Sequence, residues 1–190
     1  IVVLLLTCAC LSGHLRAQTR ESLLVGKTTQ ARVTSVVDGD TVHVRLRSGQ
    51  SITVRLDGID TPEMGEPFST RARNAARVML FDRDVQVKGT DVDRYGRLVA
   101  RVVVDGVDSS QALVSQGLAC QYVRYSSDRA LAAAQGEAQR AGRGFWAAGA
   151  EQPACVAQNS RAPKAGTGLG PFHGNVRSHV FHAATCPSYA

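Results

Sequence analysis

The chain has 190 residues, of which 44% are hydrophobic, and it carries a formal net charge of +6. This length favours one domain of ordinary size with appendages over an array of several domains, and the apolar content is ample for one packed core. The positive charge suits a polyanionic partner such as nucleic acid, although charge alone does not establish one.

The N-terminal segment, residues 1–17, resembles part of a secretory signal. Its apolar run, Ile1–Leu11, is too short to span a bilayer as an ordinary helix. Leu15-Arg16-Ala17 is a candidate cleavage point. A buried N-terminal helix or an uncleaved anchor is the alternative. We expect export to a secreted or periplasmic location, with no stable membrane association after cleavage.

Residues 18–30 are polar and unpatterned, which predicts a linker to a domain over residues 31–150. The domain opens with three short β-like runs that turn at Asp38-Gly39-Asp40 and at Arg47–Gln50. The second and third runs alternate polar and apolar residues, so we expect a three-stranded meander with one buried face. Its strands are Arg32–Val37, Thr41–Leu46 and Ser51–Leu56.

The following elements alternate between helix and strand patterns. They are a helix over Ser69–Phe81 with Ser69 as N-cap, strands at Asp84–Lys88 and Leu98–Val104, a helix from Asp108 to Gly117, and a helix over Asp128–Ala141. This order predicts a mainly β, α+β fold, namely a five-stranded OB-type Greek-key barrel with three packed helices. A parallel sheet is disfavoured because tight turns join the early strands.

Several polar residues at strand ends and in loops form a chemical set. Each alone has an ordinary explanation as a turn, a solvated arginine or a helix cap. Asp40 and Asp60 offer the hard oxygen ligands that Ca²⁺ or Mg²⁺ requires, and Glu63 follows within reach of a metal-bound water. Arg55 and Arg97 carry planar forks suited to phosphate. A cation, a base and two phosphate clamps are the components of phosphodiester hydrolysis.

Four motifs resemble those of the thermonuclease, or staphylococcal nuclease, family in their order and layout. They are VVDGDTV (Val36–Val42), VRLDGIDTPE (Val54–Glu63), DRYGR (Asp93–Arg97) and ALVSQGLA (Ala112–Ala119). The resemblance covers roughly Ala31–Trp146. It implies an OB-type barrel with three helices and Ca²⁺-dependent cleavage of DNA and RNA that leaves 3′-phosphates.

The resemblance also implies a metal site. Asp40, Asp60 and the backbone carbonyl of Thr61 would hold one Ca²⁺ ion. Asp38 would support that site from outside the ligand shell.

The same resemblance implies catalytic roles. Glu63 would act as general base on the attacking water or orient it, while Arg55 and Arg97 would bind the phosphate and stabilise the transition state. Tyr95 would approach the terminal phosphate of a bound nucleotide, and Arg94 beside it occupies a usually basic position.

Two features depart from the family pattern. The segment Met64–Thr70 looks shorter than the lysine-rich loop of the best-known member, which leaves substrate preference and rate open. Family members stack a nucleotide base on tyrosines after the second helix. Either Tyr122 or Tyr125 could be that platform, or could be an aromatic packed at the domain edge.

The C-terminal segment, residues 151–190, is predicted to be a flexible tail because much of it is rich in Pro, Gly, Ala and Ser. In an oxidising compartment Cys120 and Cys155 could pair and fix this segment, or both could be unpaired thiols. His182 and Cys186 have metal-ligand spacing, but structural zinc normally has four ligands, so we do not expect this pair to suffice.

Taken together, the sequence predicts an exported, Ca²⁺-dependent, sugar-nonspecific nuclease, acting as a monomer on DNA and RNA and favouring single-stranded or unpaired regions. A catalytically silent OB-fold module that binds nucleic acid is the first alternative. An envelope interaction protein that uses the barrel as a scaffold is the second.

Overall fold

The computed structural model describes residues 20–161, 172–175 and 180–183. The predicted signal, residues 1–17, lies outside them. Within the described residues the strands are β1 Thr28–Val36, β2 Thr41–Leu46, β3 Ser51–Leu56, β4 Ile59–Asp60, β5 Asp84–Val92, β6 Leu98–Val104, β7 Val107–Asp108, β8 Cys120–Gln121, β9 Phe172–Asn175 and β10 Val180–Ala183. The α-helices are α1 Ser69–Leu80, α2 Ser109–Ser115, α3 Arg129–Arg140 and α4 Ala154–Arg161.

Five strands close into a barrel. Their order is β3-β2-β1-β5-β6 with antiparallel neighbours, and β3 also pairs in parallel with β6, which joins the two edges. The closing register places Val54 against Leu98 and Leu56 against Ala100. This pairing closes the sheet over Val54–Leu56 and so shortens its exposed edges. The predicted mainly β, OB-type barrel with packed helices is therefore confirmed.

The barrel is filled by alternate residues of its strands, as a side-chain period of two requires. On β2, Val42, Val44 and Leu46 are buried, whereas His43 and Arg45 are exposed. The helices cover the barrel with small and branched apolar residues, namely Ala76 and Leu80 of α1, Leu113 and Val114 of α2, and Leu131 and Ala134 of α3. The outer face of β2 and β3 is left for polar side chains.

Helices α2 and α3 begin at the expected aspartates. Asp108 accepts a hydrogen bond from the N–H of Gln111 at 3.2 Å, and Asp128 accepts one from the N–H of Ala130 at 2.7 Å. These bonds satisfy backbone donors that a helix start leaves unpaired.

Helix α1 begins differently from the prediction. Phe68, not Ser69, occupies the cap position, with a φ of 68° and no side-chain cap. Ser69 is the first helical residue, and its hydroxyl donates to the carbonyl of Glu66 at 2.8 Å. The preceding turn therefore sets the direction of α1, and the prediction of Ser69 as N-cap is wrong.

The C-terminal end of the predicted linker, residues 18–30, forms part of the barrel wall. Thr28–Gln30 are the first residues of β1 and pair with β5, opposite Gln86–Lys88. Leu24 packs against the core, and Val25 forms a bridge with Gly89. Strand β1 begins earlier than predicted because its first residues, although polar, still pair with β5 through their backbones.

The segment predicted to be a flexible tail begins with α4, which is fixed to the barrel. Cys155 of α4 is buried and forms a disulfide with Cys120 of β8. Phe145 is buried beside this disulfide, and Phe68 packs against the group. We call Cys120, Phe145 and Cys155 the second core. The prediction of a flexible segment is therefore wrong for α4, because a buried cross-link holds it.

Further along, β9 and β10 pair in antiparallel fashion, with His182 in register with His173. Cys186 lies outside the described residues, so the expectation that His182 and Cys186 do not suffice for a zinc site stays a prediction. In the part of the chain that the structure describes, no helix has both the length and the hydropathy needed to cross a bilayer.

Candidate active site

The guanidinium of Arg55 lies between two carboxylates. Its Nη1 donates to Asp40 Oδ1 at 2.5 Å, and its Nη2 donates to Asp60 Oδ1 at 2.9 Å and to the carbonyl of Ile59 at 3.2 Å. The side chains of Arg55, Asp40 and Asp60 are 17%, 6% and 16% exposed. Strand register produces this arrangement, because Thr41 at the start of β2 pairs with Arg55 near the end of β3. Asp40 therefore precedes β2 beside that arginine.

The turn before β2 packs directly on the segment after β4. Asp38 Oδ1 accepts from the N–H of Asp40 at 3.0 Å, and the N–H of Thr61 donates to Asp40 Oδ2 at 3.1 Å. Gly39 lies so close to Thr61 that a Cβ there would come within 2.8 Å of the Thr61 Cγ2. A glycine is therefore needed to bring the Thr61 backbone beside Asp40.

Burial raises the pKa of Asp60 to about 6, and the charges of Asp40 and Glu63 add to this effect while Arg55 opposes it. Burial and the charge of Asp40 also raise the pKa of Asp38. Burial lowers the pKa of Arg55, but Asp40 and Asp60 outweigh this, so its pKa is raised overall. The site thus concentrates negative charge that an additional cation would stabilise.

A second arginine joins this group through a hydroxyl. Arg97 Nη1 donates to Thr41 Oγ1 at 3.3 Å, and that hydroxyl donates to Asp40 Oδ1 at 3.1 Å. Asp93 holds Arg97 from the other side: its Oδ2 accepts from Nε at 2.7 Å and its Oδ1 from the backbone N–H at 3.0 Å. The two arginines therefore belong to one hydrogen-bonded chain.

Tyr95 lies at the rim of the site and is 68% exposed. The guanidinium carbon of Arg94 is 4.7 Å from its ring centroid, and that of Arg97 is 5.4 Å away. Arg94 Nη2 also donates to the Tyr95 hydroxyl at 2.6 Å. The ring is therefore held by two cations while most of its surface faces solvent.

Glu63 is exposed and lies on a compact turn that leads into α1. Its N–H donates to Glu66 Oε2 at 2.9 Å, and the N–H of Glu66 donates to the Glu63 carbonyl at 2.9 Å. The backbone of Glu63 is fixed by this reciprocal pair. The charge of Glu63 also contributes to the raised pKa of Asp60, after burial and the charge of Asp40.

Tyr122 and Tyr125 lie together, with ring centroids 4.8 Å apart and planes at 67°. The N–H of Tyr122 donates to the Gly58 carbonyl at 2.8 Å, just before β4. Burial raises the pKa of Tyr122, and the charges of Tyr125 and Asp60 contribute. The structure therefore places both tyrosines on the Asp60 side of the site, with Tyr125 the more exposed.

The oxygen donors present fit a hard divalent cation. Asp40 and Asp60 converge on one guanidinium, and the N–H of Thr61 donates to Asp40. Carboxylate and carbonyl oxygens are the ligand types that Ca²⁺ takes. Within the described part of the chain, no three His, Cys, Asp or Glu side chains form a metal-binding group. A cation here would depend on two carboxylates, a carbonyl and water.

Comparison with known proteins decides the family. The family described as "Staphylococcal nuclease homologue" matches residues 53–148, an interval that includes Arg55, Asp60, Glu63 and Arg97. The chain belongs to this family. The predicted recognition and the predicted enzyme class, a nuclease hydrolase, are confirmed.

Individual relatives of this staphylococcal nuclease homologue support the assignment. An uncharacterized endonuclease of Haemophilus influenzae is 34% identical over 116 residues, covering 61% of this chain and 65% of the relative. An uncharacterized endonuclease of Escherichia coli O157:H7 is 34% identical over 116 residues, covering 60% and 75%. A micrococcal nuclease of Shigella flexneri is 34% identical over 128 residues, covering 62% and 73%.

Three residues of the site were missed by sequence reasoning. Thr41 links the two arginines, Asp93 holds Arg97, and Glu66 holds the backbone of Glu63. Asp93 could have been found from its i, i+4 spacing to Arg97, and Glu66 from its position three residues after Glu63. For Thr41 the sequence carries no such signal, because its contact with Arg97 joins residues far apart in the chain.

Proposed function

We propose that this staphylococcal nuclease homologue is an exported, Ca²⁺-dependent nuclease that cleaves DNA and RNA, favours single-stranded or unpaired regions, and leaves 3′-phosphates. It acts as a monomer with one Ca²⁺ ion. The observation that carries the proposal is the position of Arg55 between Asp40 and Asp60, joined through Thr41 to Arg97. Phosphate-binding cations and oxygen ligands for a metal meet at one place.

Asp40, Asp60 and the carbonyl of Thr61 would hold the ion. When bound, Ca²⁺ supplies charge stabilisation for the phosphoryl oxygens. Asp38 keeps Asp40 in place through the N–H bond described above. The ligands are thus set by the packing of two turns.

The two arginines bind the substrate phosphate. Arg97 uses its Nε and Nη1 for Asp93 and Thr41, which leaves Nη2 without a hydrogen-bond partner among the described residues. That nitrogen, together with the Nε and the second Nη1 hydrogen of Arg55, would offer N–H donors to separate phosphoryl oxygens, since the Nη2 hydrogens of Arg55 are taken by Ile59 and Asp60. Charge-assisted donors held in position stabilise the charge that develops in the transition state.

Glu63 takes a proton from the attacking water or orients it, and its ionised form is the active one. Tyr95 and Arg94 lie beside Arg97, where they would contact the terminal phosphate of a bound nucleotide. Tyr122 and Tyr125 form the aromatic surface on which a base stacks. The placement of Tyr95 and Arg94 is supported by the positions of the Arg94 and Arg97 guanidinium groups over the Tyr95 ring.

The chemistry of the site supports a broad substrate range. Arginine contacts to phosphate are common to DNA and RNA and carry no sequence information. Unpaired strands expose the bases that the tyrosines would stack on. The disulfide between Cys120 and Cys155 supports export, because such bonds persist in oxidising compartments.

The direct test is digestion of single-stranded DNA and RNA by the chain from Gln18 to Ala190, in Ca²⁺ and in EGTA. We expect cleavage of both polymers in Ca²⁺ only, and a loss of kcat of about 10²-fold or more in Glu63→Gln. Glu137→Gln, which neutralises an exposed acid on α3, is the matched control and should cleave normally.

Cleavage unaffected by EGTA would contradict the cofactor assignment, and an active Glu63→Gln would contradict the role of that residue. Salt-sensitive binding of DNA without any cleavage would identify the barrel as a silent nucleic-acid-binding module. End analysis of the products shows whether the phosphate remains on the 3′ side.

A further inference from the structure

A row of outward-facing residues continues from the active site along β2 and β3. Residues two apart on a strand share a face, so alternate cross-strand pairs lie side by side on the barrel surface. The outward pairs, taken from the active site onwards, are Thr41 with Arg55, His43 with Thr53, and Arg45 with Ser51.

Side-chain contacts and exposure support this geometry. His43 Nδ1 and Thr53 Oγ1 are 3.1 Å apart across the strands, and both lie beyond the Thr41–Arg55 pair. Arg45 is exposed, and Arg47 follows it in the turn after β2. We call Thr41, His43, Arg45, Arg47, Ser51, Thr53 and Arg55 the β2–β3 track.

The far end of the track carries uncompensated positive charge. Among the described residues, neither Arg45 nor Arg47 forms an ion pair with an acidic side chain. Arg32, opposite Arg45 on β1, differs because Asp82 and Asp84 hold it at 3.0 and 3.2 Å. Arg45 and Arg47 are therefore available to an external anion.

The surface along the track is concave. β3 pairs with β6 only through Val54–Leu56, so its first half borders the Asp93–Arg97 loop across a hollow of about 260 Å³. His43, Thr53, Tyr95 and Arg97 line it, together with the acid Glu21. The hollow thus begins at a catalytic arginine and runs outwards along the track.

A second hollow lies at the other end. Its volume is about 390 Å³, and its charged lining consists of Arg32, Arg45 and Arg47 with Asp84. Because Asp84 is engaged by Arg32, the two free arginines dominate this end.

We propose that the β2–β3 track binds the sugar–phosphate backbone of a single-stranded nucleic acid whose scissile phosphate lies between Arg55 and Arg97. The inference rests on the proposed function and states where the rest of the strand lies. Successive outward pairs are about 7 Å apart, so Arg45 lies about 14 Å from Arg55. This distance places Arg45 about two nucleotides from the bond that is cut, and Arg47 one further.

Each part of the track has a role in this arrangement. Tyr95 lines the hollow between the site and the track, where it keeps the phosphate contact proposed for it above. His43 and Thr53 hydrogen-bond the intervening sugar–phosphate. Arg45 and Arg47 neutralise the distal phosphates.

The first test compares Arg45→Ala/Arg47→Ala with Arg129→Ala/Arg140→Ala, which removes the same charge from exposed positions on α3. The substrates are single-stranded DNAs of about three and about twelve nucleotides, within the range of site sizes known for OB folds. We expect kcat/KM of the track variant to fall about tenfold on the longer DNA, and at least fivefold more than on the shorter one. The α3 variant should show no length dependence.

The second test measures binding of the longer DNA in EGTA as salt rises. Loss of two phosphate contacts should reduce the slope of log K against log salt by about 1.4, since each single-strand contact contributes about 0.7. The α3 variant should keep the wild-type slope.

The third test locates the contacts with uncharged methylphosphonate linkages placed one at a time along the DNA. A neutral linkage two or three positions from the cut should weaken binding to the wild type but not to Arg45→Ala/Arg47→Ala. This pattern is a double-mutant cycle between protein and substrate.

The inference is overturned if kcat/KM of the track variant falls equally on both DNA lengths, or if the α3 variant shows the same losses as the track variant. General electrostatic attraction would then explain the data. If the wild type cleaves neither DNA, the proposed function fails, while the salt slope and the methylphosphonate series still show whether the track binds the strand. If the track variant binds and cleaves both DNAs as the wild type does, the proposed nuclease function stands and the track proposal is refuted.

Discussion

Asp60 and Cys120 are opposite each other in the two-residue ladder that β4 forms with β8. Cys120 is joined by the disulfide to Cys155 of α4, and the neighbouring Ile59 carbonyl accepts a hydrogen bond from Arg55. The backbone that carries one proposed calcium ligand is therefore held by a covalent link from the C-terminal side. Such a short ladder has few hydrogen bonds of its own to fix that ligand.

Replacing both cysteines, Cys120→Ala/Cys155→Ala, should lower both the unfolding free energy of the protein and its affinity for Ca²⁺. Removing a cross-link with a sequence separation of 35 costs on the order of 3–4 kcal/mol of unfolding free energy. We also expect Ca²⁺ affinity to fall severalfold, because Asp60 is less well held. Urea unfolding and calorimetric Ca²⁺ titration of the folded variant measure the two effects.

Val87→Ala is the control for that experiment. Val87 is fully buried in β5 and its truncation costs roughly 2 kcal/mol without touching the ladder. Its Ca²⁺ affinity should equal that of the wild type. An equal loss of affinity in Val87→Ala would mean that the disulfide acts only through overall stability.

Glu66 should control catalysis through the backbone of Glu63. Glu66→Gln keeps an acceptor oxygen but loses its charge, whereas Glu66→Ala leaves the Glu63 N–H without this partner. We expect kcat to fall roughly fivefold and tenfold respectively, with KM nearly constant, since misplacing a base affects the chemical step. Steady-state kinetics beside Glu137→Ala test this, and wild-type kcat in Glu66→Ala would refute it.

Asp93 should act through Arg97. Asp93→Asn removes the charged partner of Arg97 Nε, so that guanidinium is less well oriented towards phosphate. The expected result is a loss of about tenfold in kcat/KM. Asp105→Asn, which breaks an exposed ion pair with Arg83, is the comparison and should change neither activity nor stability appreciably. Similar kinetics in the two variants would exclude the orienting role.

Calcium binding should weaken on acidification through pH 6. Burial and the charge of Asp40 raise the pKa of Asp60 to about 6, so protons compete with the ion for that carboxylate below this pH. Apparent Ca²⁺ affinity should fall by about tenfold per pH unit well below the pKa. Titrations between pH 8 and pH 5 measure this, and constant affinity over that range would contradict the assignment of Asp60 as a ligand.

The same pKa predicts an opposite trend for stability in EGTA. Because the pKa of Asp60 exceeds its ordinary value of 3.8, the folded protein binds more protons than the unfolded chain between those values. The contribution of this group to the unfolding free energy therefore rises as pH falls through that window. Asp60→Asn should remove this component from unfolding curves recorded across the window.

The residues of the proposed site could be selected from the sequence because they belong to short motifs near strand ends. Asp40 directly precedes β2, Arg55 lies near the end of β3 and Asp60 follows β3 closely, and both strands have a clear alternating pattern. The sequence therefore places the three residues near one another once the barrel is recognised. The prediction of Arg97 beside them depends on closure of β3 on β6, which the family resemblance implied. The roles assigned to these residues stay predictions until the variants are measured.

Other features had no local signal. The ladder of β4 and β8 has two residues per strand, too few for a period. The left-handed conformation of Phe68 contradicts the usual preference for glycine there and depends on packing against Phe145 and the second core. Strand β5 continues past Lys88, where the prediction ended it. The sequence did not show this because an irregularity between Gly89 and Asp91 interrupts the alternation of side chains.

Closure of the barrel has a consequence for folding. Arg55 lies on β3 and Arg97 immediately precedes β6, and these are the strands whose parallel pairing joins the two edges of the sheet. Parallel, non-local pairing forms slowly, because the entropy of closing a long loop is lost before any contact between the strands can compensate for it. A chain in which this seam is still open has both arginines but no common place for a phosphate. Enzymatic competence should therefore be among the last properties that the newly made protein acquires.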